Sequence, residues 1–128
     1  ALIGVGRGVD GALVLPSDPQ YGNHLGTVHA GALLTLAEAA SGDFLLREFG
    51  DLGFAVVPVV RRMEAKFRKP AQGAIRAVAT MSAEARVDFL AALTDKGRAL
   101  VSVNVEVHDE SGTHALSSTV EWFVAKRE

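Results

Sequence analysis

Hydrophobic and polar positions change period several times along the chain, and each change marks an element. Val101, Val103, Val105 and Val107 alternate with Ser102, Asn104, Glu106 and His108, the pattern of a strand with one buried face. Asp109-Glu110-Ser111-Gly112 reads as a hairpin turn into a last strand, Thr113 to Val124, with Val120, Trp122 and Val124 on one side. From about His29 to Phe49 the pattern is helical and apolar nearly all round, which predicts a buried helix rather than one laid on a surface. Gly50-Asp51-Leu52-Gly53 ends it.

The shorter segments complete the order. Ala12-Leu13-Val14-Leu15 reads as a strand stopped by Pro16-Ser17-Asp18-Pro19, and residues 20–28 as a polar loop. Phe54 to Phe67 reads as a strand with Pro58 as an interruption or bulge, and Pro70-Ala71-Gln72-Gly73 as a turn. Ala74 to Met81 alternates. Ser82 suits the N-cap of a short helix near residues 83–93, with Val87, Leu90 and Leu93 at helical spacing and Asp95-Lys96-Gly97 as its stop. There are no repeats or low-complexity tracts. The order predicts an α+β fold, a five- to six-stranded antiparallel sheet covering one face of a long helix. The other sheet face and the edges stay open, so association with another chain is expected.

At 128 residues the chain is expected to be one domain, residues 1–128, large enough for a core without staples. Hydrophobic residues make up 48% and mean hydropathy is +0.21, which for a small chain points to apolar area reserved for a subunit interface. The net charge of −2 supplies no global basic field, so neither nucleic acid nor an anionic membrane is an expected partner. With no cysteine, disulfides, thiolate nucleophiles and cysteine-rich zinc sites drop out, and a cytoplasmic location suits the composition. The apolar run around Leu33 is too short and too charged to span a bilayer. No basic segment marks a signal peptide.

Several motifs have a plain reading. Gly6-Arg7-Gly8-Val9-Asp10-Gly11 fits G-x-G-x-x-G, but it opens a strand instead of following one, so these are turn glycines. Asp109 and Glu110, between His108 and His114, are ordinary turn acids, and no metal is expected there. Arg61, Arg62, Lys66, Arg68 and Lys69 form a basic cluster on a strand and its exit. It is either charge protecting a strand edge or a contact for the phosphates of a nucleotide-bearing acyl carrier.

The stretch from Asn23 to Glu38 carries the chemistry. A polar, glycine-bearing loop enters the long helix, and such a junction presents free backbone N–H groups and the positive end of a dipole to a developing negative charge. Glu38, two turns beyond Gly31 on the same helical face, is a lone carboxylate in an apolar helix. It either faces water or serves a site.

Asn23-x-x-Gly26-Thr27-x-His29-Ala30-Gly31 followed by Glu38 resembles the N-x-x-G-x-x-H-G-G…(D/E) pattern of hotdog-fold acyl-CoA thioesterases of the phenylacetic-acid-degradation type. Glu64 to Ala71 and Val101 to Val124 resemble the same superfamily more loosely, and the short helix resembles a less characterised, thioesterase-like branch. The resemblance implies a hotdog fold, a long central helix wrapped by an antiparallel sheet. It also implies a homodimer, or a homotetramer of two dimers, with sites at the subunit interface. In that scheme Glu38 is the base or nucleophile, and the N–H at Ala30, with Gly31 beside it, polarises the thioester carbonyl. Asn23 holds substrate or water, and His29 supports the junction. Ala30 stands where the family has glycine. It keeps the N–H, so the oxyanion role survives with ordinary helix-start geometry. The methyl would hinder a position that requires positive φ, or an acyl group passing over bare backbone. The substrate is an acyl-CoA or acyl-carrier thioester, and no cofactor beyond the substrate's own coenzyme A is needed. The alternatives are a non-catalytic module that binds an acyl thioester or a protein, and an enoyl or hydroxyacyl thioester hydratase-dehydratase. The prolines of the H-F-P-type dehydratase loop are absent here.

Overall fold

A computed structural model describes residues 6–7, 13–15, 30–50 and 55–127. In order these form β1 (Gly6–Arg7), β2 (Leu13–Leu15), α1 (Ala30–Phe49), β3 (Val56–Phe67), β4 (Ile75–Thr80), α2 (Ala83–Lys96), β5 (Arg98–Asp109) and β6 (His114–Lys126). The strands make one six-stranded sheet in the order β1-β2-β4-β5-β6-β3, every neighbour antiparallel. One face packs on α1, which gives the α+β hotdog fold.

The core is the inner row of each strand against one face of α1. Val101, Val103, Val105 and Val107 are all buried, while their polar alternates point outward. Leu33, Leu36, Ala37, Ala40, Phe44 and Leu45 recur at helical spacing and meet them. The helix is not buried all round, as its composition suggested. Thr35, Glu38 and Leu46 share an open arc, because the sheet reaches only one side of the helix. α1 packs chiefly on β4 and β5, and β3 lies beyond that contact at the end of the sheet.

Local chemistry sets the boundaries. Ser82 Oγ accepts from the Ala85 amide at 3.1 Å and starts α2, while Gly97, at φ +72°, donates to the Leu93 carbonyl at 3.0 Å and stops it. α2 runs to Lys96, slightly longer than its spacing implied. At the β5–β6 turn, Asp109 accepts from the backbone of Thr113 (2.9 Å), Ser111 (3.0 Å) and Gln72 (3.2 Å), and from the Ser111 hydroxyl (2.9 Å). Burial pushes its carboxyl up. The hydrogen bonds from Thr113, Ser111 and Gln72 together outweigh that and hold it below the usual aspartate value. The turn residue therefore ties the β3–β4 connection to the hairpin.

Pro58 sits inside β3 without breaking it, as an end strand permits. The bulge lies two residues later, where Val60 and Arg62 oppose Trp122 and Glu121 with Arg61 extra. Among the described residues no helix is long and apolar enough to cross a membrane.

Candidate active site

α1 presents the expected site residues along its open arc. Ala30 opens the helix and is exposed, Gly31 is partly buried, and Glu38 is exposed in the single chain. The burial penalty expected for a lone acid in an apolar helix is therefore absent unless a second chain covers it. No non-glycine residue among those described has positive φ, so Ala30 has ordinary helix-start geometry and the alanine keeps the amide in place. Thr35 Oγ1 donates back to the Gly31 carbonyl at 2.8 Å. Asn23, Gly26 and His29 lie outside the described residues.

Separation along the helix decides what one chain can do. Eight residues at 1.5 Å rise place Ala30 and Glu38 about 12 Å apart along the axis. A thioester carbonyl needs its donor within about 3 Å and its base or nucleophile at comparable range. The amide and acid of one helix therefore cannot serve the same carbonyl.

The five basic residues separate into two groups. Arg61 lies 3.9 Å from Glu121 and Arg62 pairs with Glu64, so two of the cations face carboxylates of their own chain. Lys66, Arg68 and Lys69 instead border an open depression with Thr113 and His114 at the hairpin end of the sheet's outer face. There Arg68 Nε donates to Ser117 Oγ (2.8 Å), and Ser117 donates to Glu106 (2.9 Å). His114 Nε2 lies 3.2 Å from Ser117, and its ring stacks on His108 at 4.6 Å.

A second feature went unseen in the sequence. Under the C-terminal half of α1 lies an apolar cavity of about 350 Å³, between the helix, the start of β3, the end of β6 and α2. Trp122 forms one wall. Its indole N–H donates to the buried Ser41 hydroxyl at 3.0 Å, and its ring rests on Gly42, where an added Cβ would lie 3.3 Å from it. Phe49 and Phe89 meet edge to face at 4.8 Å and close the far end. No local period couples residues this far apart in sequence.

The chain belongs to the DUF4442 family, described as a domain of unknown function, whose model matches residues 9–124. It lies within the hotdog-fold thioesterase superfamily. A Pseudomonas aeruginosa protein of unknown function, described as a probable thioesterase, is 32% identical with a TM-score of 0.78, over 91% of this chain and 76% of its own. A Bacillus halodurans protein solved with CoA is 25% identical with a TM-score of 0.68, over 88% and 69%. A Chlorobaculum tepidum protein of unknown function shares the fold at 20% identity and a TM-score of 0.81, over 91% and 76%. No curated protein matches the chain.

Proposed function

We propose that this protein is a thioesterase that hydrolyses an acyl-CoA or acyl-carrier thioester at a site shared by two copies of the chain. The roughly 12 Å between Ala30 and Glu38 carries the reading, because an amide donor and an acid that cannot meet within one helix can meet across a two-fold axis. Glu38 of one protomer faces the thioester held at the helix start of its partner. The Ala30 N–H, with the small Gly31 beside it, takes the carbonyl oxygen as it becomes tetrahedral. Acting as base, Glu38 accepts a proton from water as the water attacks. The C–S bond then breaks, and the sulfur leaves as a thiol with that proton. Acting as nucleophile, Glu38 bonds to the acyl carbon as the C–S bond breaks and a thiolate leaves. Water then cleaves the acyl anhydride, restoring the Glu38 carboxylate, and a proton from that water goes to the thiolate. Asn23 holds the substrate or the water, and His29 supports the junction.

β3 supplies the pairing surface. It ends the sheet, and Val59 (53% exposed) and Phe67 (48%) stand open on it. Antiparallel pairing of two β3 strands about Met63 sets each Arg62 opposite the other chain's Glu64 and continues the sheet through the dimer. On the outer face, Val59, Phe123 and Leu100 stand in one cross-strand row, an apolar surface on which a second dimer can dock to make a tetramer. Of the five cations, we assign the CoA phosphates to Lys66, Arg68 and Lys69, which border one open depression, and leave Arg61 and Arg62, which face their own chain's carboxylates, to the strand edge. The Bacillus halodurans relative solved with CoA supports this ligand class.

The test is thiol release from a panel of acyl-CoA substrates, run beside Glu38→Ala. A loss of about 10²–10⁴-fold in kcat is expected for the variant. No release from any substrate, or equal release from both proteins, contradicts the reading.

A further inference from the structure

Glu38, Gly42, Leu46 and Gly50 stand at successive i+4 positions, one ridge of α1. The last three border the apolar cavity, so the ridge that carries the acid leads into the cavity one turn further on. Leu46 is 65% exposed at the opening. Gly42 has no side chain to block passage between acid and cavity, and Trp122 flanks it.

We infer that this cavity holds the tail of the acyl group, and that the substrate carries an apolar chain rather than a short or polar acyl. The inference rests on the thioesterase reading for its reacting end and on the cavity's own chemistry for the rest. Its lining is almost wholly apolar. The indole N–H is the side-chain donor in its wall, and that N–H already serves Ser41. An occupant with hydroxyl, amide or charged groups would lose its hydration there without a partner, whereas a methylene chain would gain. The volume falls in the range of small-molecule sites. The wall formed by α2, through Phe89 against Phe49, sets where the chain must end. Gly42, Trp122 and Phe89 are accordingly the residues that set chain length.

Trp122 is the one tryptophan of the chain, so its emission reports the cavity without any turnover. The full chain is titrated with butyrate, octanoate, dodecanoate and hexadecanoate, and thiol release is measured with the matching acyl-CoAs. The expected result is an emission shift absent with butyrate and growing with chain length until the cavity is full, with kcat/KM following the same order. Gly42→Leu should weaken the response to the longer chains at least 10-fold. Leu46→Glu, at an exposed position that leaves the core alone, should do the same and guards against a folding defect in the first variant. An emission shift without hydrolysis of any acyl-CoA keeps the tail site and removes the thioesterase reading. Hydrolysis indifferent to chain length, with no emission shift, keeps the thioesterase and overturns the inference. Emission unmoved by any chain, or equal responses from Leu46→Glu and the parent, also overturns it.

Discussion

Trp122 donates its indole N–H to Ser41 Oγ at 3.0 Å across 81 residues of chain, and Ser41 in turn donates to the Glu38 carbonyl at 2.7 Å. The last strand is thereby tied to the helical turn that carries the proposed catalytic acid. Ser41→Ala removes the acceptor and leaves a partly buried donor unpaired, at an expected cost of about 1–3 kcal/mol. Urea unfolding followed by Trp122 emission should show a lower midpoint and a red-shifted native spectrum. An unchanged midpoint would show that the tie contributes nothing.

Asp109 predicts an acid-sensitive hairpin. Its carboxyl sits below the usual aspartate value when folded, because backbone and hydroxyl donors from Thr113, Ser111 and Gln72 favour the ionised form over the burial that opposes it. A depressed folded value means the contribution is present above the ordinary aspartate range and fades as pH falls through the folded value. Asp109→Asn keeps one acceptor oxygen but no charge. The parent should be the more stable protein at neutral pH, with the gap closing in acid. Midpoints of urea unfolding taken from neutral pH downward check this, and a constant gap speaks against it.

Much of this architecture was legible in residues taken locally. The valine alternation of β5, the Ser82 cap and the Gly97 stop each encode their element within a few positions, and each stands where expected. The arc of α1 left open was less legible. Its alanines fill either a core or a surface, and only the sheet's reach decides which. The bulge fell at Val60/Arg62 instead of Pro58, since register is set by pairing with β6 and an end strand tolerates proline. The cavity was invisible because Gly42, Phe89 and Trp122 meet only through tertiary packing. The lone acid could be read from sequence, but whether it faces water or a second chain depends on association, which periodicity does not encode.

Ala65→Lys tests the pairing surface. Ala65 is exposed in the single chain, so the substitution should spare its fold. In a dimer joined along β3 about Met63 it stands opposite the other chain's Arg61, where like charges facing each other across the seam are destabilising. Light scattering behind size exclusion should report a smaller species than the parent at the same concentration, and thiol release should fall with it. A parent and variant of equal mass would place the dimer elsewhere.

The central claim, that acid and amide come from different chains, is tested most directly by mixing two inactive variants. Glu38→Ala removes the acid. Ala30→Pro removes the amide at the first helical position, where proline is well tolerated. Each variant alone should release almost no thiol. Unfolded and refolded together in equal amounts, half of the dimers pair one chain of each kind. Each such dimer regains one intact site of its two, so activity should return to about a quarter of the parent's. A mixture as inactive as its components would mean that each site is built within one chain, and the two-chain account would be wrong.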